Sequence, residues 1–251
     1  MRDAIAGERR DPATPVPYGP CDQLLQRPRG PDPARRRAAG RRPRRAAPPG
    51  HGPGRRGDLD GMAQPPLVTV GHGSADRAAL AALLREAGVA AVTDVRTAPG
   101  SRRDADLLRD RLARWMPDEG IAYRWEPRLG GFRRTPPDSP DTVWRNASFR
   151  AYAAHTRTPE FLAAMDELLE RAAGERTAVM CAESLWWRCH RRIIADFAVV
   201  ARGVPAVHLW HDGRLTPHSP TPGLRLRPDG LLVYDDEGGA RAAGPGGTIG
   251  S

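Results

Sequence analysis

The stretch TAVMCAESLWWRCHRRIIADFAVVARGVPAVHLW, residues 177–210, decides the fold. TAVMC (177–181) is a short apolar run and reads as a buried strand. Ile193, Ile194, Phe197 and Ala201 recur at helical spacing, so 188–202 reads as a helix that Gly203 ends. PAVHLW (205–210) is again a strand. A strand, a helix and a second strand imply a parallel pair joined by a right-handed crossover.

The same alternation extends toward the N-terminus. LVTVG (67–71) predicts a strand, and Ser74 or Asp76 caps a helix carrying Leu80, Leu83, Leu84 and Ala87, which Gly88 stops. VAAVTDV (89–95) predicts the next strand. Asp104 caps a helix with Leu108, Leu112 and Trp115 on one face, ending near Pro117. IAYRW (121–125) follows as a strand. EPRLGGFRRTPPDSPDTVWRNA (126–147) is a loop long enough to be functional. SFRAYAAHT (148–156) is a short helix. Thr158-Pro159-Glu160 then opens a longer one with Phe161, Leu162, Met165, Leu168 and Leu169 inward. RPDG, between Leu224 and Tyr234, marks a final hairpin. The expected fold is a single three-layer α/β domain over 67–235. It has a mostly parallel sheet of about five strands, helices on both faces and a C-terminal hairpin.

Residues 1–66 carry no helical or strand periodicity, only Arg, Pro, Gly and Ala. Such a segment cannot bury enough apolar surface to offset its ordering entropy, so it reads as a disordered arm. Residues 236–251 read as a flexible tail. Residues 1–61 hold 14 Arg against 7 acidic residues, leaving 25 Arg and 23 acidic residues for the rest. The net charge of +9 therefore lies mostly in the arm. A basic arm binds nucleic acid through phosphate contacts. The absence of lysine and the Arg/Ala/Gly/Pro bias point instead to a GC-rich coding sequence. Met62 is then a natural start and 1–61 a mis-called or dispensable extension. No stretch approaches the ~20 apolar residues of a membrane span, and no secretory signal is evident. Three cysteines, an odd number, argue against a disulfide framework. The expected compartment is a bacterial cytoplasm.

In open parallel sheets, ligands bind beyond the carboxyl ends of the strands. His72 follows the first strand, Asp94 and Arg96 close the second, and Cys181 and Glu183 close the fourth. Arg188, Cys189, His190 and Arg191 open the helix after it. Topology thus brings them to one rim. Cys181 reads either as a small buried hydrophobe or as a nucleophile. Cys189, at a helix start beside arginine, reads as an unreactive or a thiolate-favouring position. Adjacent helical residues point about 100° apart, so His190 is not expected to serve Cys189, and His72 is the expected base for Cys181. Asp94 and Arg96 read as a site pair or a structural ion pair, and Arg102 and Arg103 as anion contacts or solvated charge. Trp186 and Trp187 read as packing, and His208 and His211 as satisfied structural histidines. Cys-x7-Cys-His lacks the Cys-x2-4-Cys knuckle of structural zinc, so neither metal nor cofactor is expected.

TVGHGS, TDVRTAPGSRR, YRWEPRLGG, FRAYAAHTRTPEFLAAMDELL and AVMCAESLWWRCHRRIIADF together resemble the domain-of-unknown-function 488 (DUF488) family, and LTPHSPTPGLRL…DGLLVYD resembles its C-terminal end. The resemblance spans roughly 67–235. It implies a compact bacterial α/β domain of unestablished activity, whose motif residues here are His72, Asp94, Arg96, Ser101, Gly130, Gly131, Cys181, Glu183, Cys189, His190 and Arg191. Two departures are visible: Gly73 separates His72 from Ser74, and Trp186 stands where many members have proline. A weaker likeness, a strand followed by Cys, loop, Arg and helix, is to rhodanese-like and cysteine-phosphatase domains. Arg188 lies one position too far for the phosphatase loop, and Trp-Trp and Glu183 are bulky for a cradle.

The candidate catalytic residues are therefore Cys181, His72, Glu183 and Asp94. The candidate ligand-binding residues are Arg96, Ser101, Arg102, Gly130, Gly131, Cys189, His190 and Arg191. The expected function is an enzyme or binding domain for an anionic, phosphate-bearing or nucleotide-like small molecule or a nucleic-acid fragment. The alternatives are a non-catalytic nucleic-acid-associated module and, by analogy, a rhodanese- or phosphatase-like thiol enzyme.

Overall fold

The structure is a computed structural model that describes residues 65–100 and 104–235. The expectations about the arm, the tail, Ser101, Arg102 and Arg103 lie outside the described residues. β1 (Leu67–Gly71) is buried throughout. α1 (Arg77–Glu86) starts where the Asp76 carboxylate accepts from the Ala79 amide at 2.8 Å. That contact satisfies one of the donors a helix start leaves open. Gly88, at φ 68°, turns the chain out of it. β2 (Ala91–Asp94) follows.

The helix expected from Asp104 is split. Asp104 caps only a 3-10 turn, Ala105–Leu107. Leu108 is extended, and α2 (Arg109–Asp118) starts after it. Pro117 lies in the last turn of α2, which ends at Asp118, close to where the sequence places its end. β3 (Ala122–Trp125) leads into a second 3-10 turn, Pro127–Leu129. α3 (Ala147–His155) and α4 (Pro159–Gly174) follow, with Thr158 capping α4 as its sequence predicts. β4 (Thr177–Cys181) has the expected bounds.

The helix expected over 188–202 is also in pieces. A 3-10 turn spans Trp186–Arg188, α5 spans Arg191–Asp196, and a π-helical segment continues over Phe197–Ala201. Cys189 is extended between the first two. β5 (Ala206–Leu209) and β6 (Leu215–Pro217) complete the main sheet. β7 (Leu224–Leu226) and β8 (Leu232–Tyr234) form the expected C-terminal hairpin.

The main sheet has six strands in the order β3-β2-β4-β1-β5-β6. All pairs are parallel except β5 with β6. β6 exceeds the expected five. It is three residues long and ends in proline, which an edge strand tolerates and a periodicity reading misses. Two apolar cores lie on opposite sheet faces. Val68, Val70, Val92 and Met180 pack with α1 and α2, while Leu67, Val179 and Cys181 pack with α3, α4 and α5. β4 sits between β2 and β1, with Asp94 beside Met180 and Gly71 beside Cys181. The three strands therefore finish at one rim, as the alternation of elements implies.

Candidate functional site

Two groups of side chains occupy this rim. The first centres on Asp94, which is fully buried. Arg96 binds its carboxylate through Nε at 2.9 and 3.1 Å and through Nη2 at 2.6 Å. The Tyr123 hydroxyl donates to the same carboxylate at 2.8 Å. The remaining Arg96 nitrogen, Nη1, donates to the Leu107 carbonyl at 3.0 Å and lies 3.3 Å from His72 Nε2. Burial opposes the Arg96 charge, but the Asp94 hydrogen bonds outweigh it and raise the guanidinium pKa. Burial, reinforced by Arg96, holds His72 down to about 4, so its imidazole is neutral. Its other nitrogen, Nδ1, lies 3.2 Å from the Gly73 carbonyl. Arg96 and Asp94 thus spend their hydrogen-bonding capacity on each other and on the loop around them.

The second group is the sulfur cluster. Cys181 Sγ, Cys189 Sγ and a ring nitrogen of His190 lie within 4.8 Å of one another. His190 Nδ1 is 3.6 Å from Cys189 Sγ and 4.0 Å from Cys181 Sγ. His190 Nε2 lies 3.3 Å from the Val95 carbonyl. A carbonyl only accepts, so Nε2 carries a proton, and Nδ1 is the nitrogen that faces the two sulfurs. The pairing expected of His72 with Cys181 gives way to this one. His72 meets Cys181 only through the backbone, its amide donating to the Cys181 carbonyl at 3.0 Å. The helical-angle argument against His190 does not apply, because Cys189 is extended and α5 starts only at Arg191.

Arg191 is almost wholly buried. Its Nε donates to Cys189 Sγ at 3.4 Å and its Nη2 to the Glu183 carbonyl. Burial works against a charged Cys189. Hydrogen bonds from Cys181 and His190 and the Arg191 charge nevertheless carry its pKa well below the usual thiol range. The same hydrogen bond to Cys189, with burial, pushes Cys181 well up. Glu183 does not reach the sulfurs. Its carboxylate accepts from the Leu185 amide at 3.1 Å, which shapes the loop. Gly71 lets that loop approach β1: a Cβ there would collide with the Glu183 carbonyl and lie 2.6 Å from Arg191 Nη2.

Gly131 lies against the His190 ring of the cluster, and Gly130 against Thr97. A Cβ on Gly131 would lie 2.7 Å from His190 Nδ1, and one on Gly130 would lie 2.5 Å from Thr97 Oγ1. Gly131 also lines a cavity of about 310 Å3 with Phe132, Arg133, Arg134 and Ser148. Arg133 turns Nε and Nη2 inward onto the carbonyls of Gly130, Pro127 and Arg128. Arg134 and Phe132 are exposed. The Tyr152 ring packs 4.9 Å from the His190 ring, and its hydroxyl donates to the Leu129 carbonyl at 2.7 Å. Sequence reasoning missed the role of Tyr152. The helical spacing of FRAYAAH carried the only signal for it.

A buried polar chain lies behind the rim and was not foreseen. Thr69 Oγ1, His208, His218 and Asp196 connect at 2.6, 3.0 and 2.9 Å. Asp196 also receives the Thr221 and Tyr234 hydroxyls at 2.6 and 3.0 Å. Trp186 stacks on His208 with centroids 3.9 Å apart. His208 is thus a hydrogen-bonded structural histidine and Trp186 packs on its ring, each as its sequence context suggests.

The fold and rim define a three-layer α/β domain with a cysteine–histidine cluster at the carboxyl ends of its central strands. Residues 76–198 match the family model described as Domain of unknown function DUF488, the family that the motifs resemble. The match takes in Asp94, Arg96, the glycine pair, both cysteines, His190 and Arg191. It is narrower than the expected 67–235 and begins after His72. No curated protein and no solved structure matches the chain. No helix among the described residues is long and apolar enough to cross a membrane.

Proposed function

We propose that the domain binds a small anionic, phosphate-bearing molecule in the cavity on the far side of Gly131 from His190, with the Cys181–Cys189–His190 cluster as the reactive group behind that glycine. One observation carries this reading: Gly131 belongs at once to the cavity lining and to the surroundings of His190 Nδ1. The cavity presents Arg134 and the Ser148 hydroxyl to an entering ligand. Arg96 is assigned no contact with the ligand, since it is buried and its Nε, Nη1 and Nη2 face Asp94 and the Leu107 carbonyl. Arg191 acts from behind, holding Cys189 and the Glu183 carbonyl in place.

The test is thermal denaturation with nucleoside monophosphates and the corresponding nucleosides. A ligand at 100 times its Kd stabilises by about 2.7 kcal/mol. The monophosphates are expected to raise Tm and the nucleosides to do so far less. Arg134→Ala, a change at an exposed position, is expected to remove the difference. Equal shifts with and without phosphate, or an undiminished shift in the variant, would refute the reading.

A further inference from the structure

We infer that Cys181, Cys189 and His190 form a three-ligand site for a zinc-like divalent cation, its open fourth position facing the proposed anion cavity. The last clause rests on the anion reading; the three-ligand site does not. His190 Nδ1 stands near coordination distance from both sulfurs, and all three donor atoms lie within 4.8 Å of one another, so the sulfurs draw together to share one ion. A tetrahedral cation bonded to sulfur at ~2.3 Å and to nitrogen at ~2.0–2.1 Å sets sulfur and nitrogen about 3.5–3.6 Å apart, and a trigonal one about 3.8 Å. The two observed separations are 3.6 and 4.0 Å.

The surroundings suit a metal. His190 presents Nδ1 because Nε2–H is bound to the Val95 carbonyl, the arrangement that orients metal-bound histidines. Gly131 packs closely on the His190 ring, where a Cβ would lie 2.7 Å from Nδ1 and push the ring out of line with the sulfurs. The sequence lacks a zinc-knuckle spacing because its ligands come from two elements. Cys181 ends β4, while Cys189 and His190 precede α5.

Charge joins the metal to the anion. Two thiolates beside an anion seat would repel the ligand. A dication neutralises both, an imidazole ligating through Nδ1 adds no charge, and Arg191 against Cys189 Sγ adds one positive charge. The open position of such a centre favours an anion. Two sulfurs and one nitrogen select a borderline-soft ion over Mg2+ or Ca2+.

The experiment uses the full chain, reduced and stripped with a chelator, then titrated with Co2+ as a spectroscopic probe. Near-ultraviolet circular dichroism monitors the fold. The expected result is one Co2+ per chain, with sulfur-to-cobalt charge-transfer absorption and visible bands of a four-coordinate ion, displaced by Zn2+. Cys181→Ser, Cys189→Ser and His190→Gln are each expected to lose it. Gly131→Ala keeps all three donors and is expected to weaken Co2+ binding roughly tenfold or more, a loss of the size seen when metal surroundings change. Folded wild-type protein that shows no charge-transfer band, or a Cys189→Ser variant that binds as tightly, would overturn the proposal. Inorganic phosphate added to the cobalt form separates the two readings. Shifted visible bands support both. Unshifted bands leave the metal site standing and refute the anion. Phosphate binding by a chain that takes up no metal does the reverse.

Discussion

Replacing Asp94 by asparagine is the sharpest test of how the rim is held. The side chain keeps its shape and loses its charge. Asp94 is fully buried, Arg96 is 5% exposed, and three guanidinium contacts of 2.6–3.1 Å join them. Asparagine leaves the guanidinium charge in place without its counter-ion and turns an amide N–H toward one of the donors. Breaking a buried pair by removing one partner costs about 3–5 kcal/mol, because the other charge stays buried and uncompensated. The Tyr123 hydroxyl loses a charged acceptor, which adds about 1 kcal/mol. Urea unfolding, with an unchanged m-value, is expected to show a loss of about 3–6 kcal/mol. In a domain of this size that lowers Tm by roughly 6–20 °C. Replacing both residues together, Asp94→Leu with Arg96→Met, removes both buried charges and is expected to recover most of the loss. A single-variant loss below about 1 kcal/mol, or a double variant no better than the single, would refute the reasoning.

Three further outcomes follow. His72 is held down to about 4 and His208 to about 2, both chiefly by burial. The unfolded chain therefore takes up protons near pH 6.5 that the native state refuses. Stability is full above that pH and falls as pH drops through it; between pH 7 and pH 5 the loss in urea unfolding is about 2–4 kcal/mol, and a flat profile would contradict it. Gly71→Ala drives a methyl group into the Glu183 carbonyl and against Arg191 Nη2. It is expected to cost about 3 kcal/mol and to speed alkylation of Cys189 in the native state, as read by mass spectrometry. Asp196→Ala leaves His218, Thr221 and Tyr234 without their common acceptor. Amide hydrogen exchange over residues 215–234 should rise well before global unfolding, and exchange confined to the global rate would speak against that role.

The fold was largely legible because its determinants are local. β1 and β4 are uninterrupted apolar runs, and Asp76 and Thr158 announce their helices by capping. From there the parallel order and the common rim follow. What escaped depends on single backbone torsions or on distant partners. Whether His190 faces the sulfurs turns on the extended conformation of Cys189, which no periodicity encodes. Arg96 could be placed at the rim, but its engagement with Asp94 and Leu107 needed coordinates. Thr69 and His208 meet across 139 residues. β6, at three residues, is too short to carry a pattern.

The most direct test of the cluster is whether one small reagent can hold both sulfurs. A trivalent phenylarsenical needs two adjacent thiols to form a stable ring through one arsenic. Added in equimolar amount to native, reduced, metal-free protein, it is expected to give a single adduct. Peptide mass spectrometry should then find that adduct spanning Cys181 and Cys189, and Cys181→Ser or Cys189→Ser should abolish it. Independent adducts on the two cysteines, or no adduct in the folded protein, would contradict their convergence.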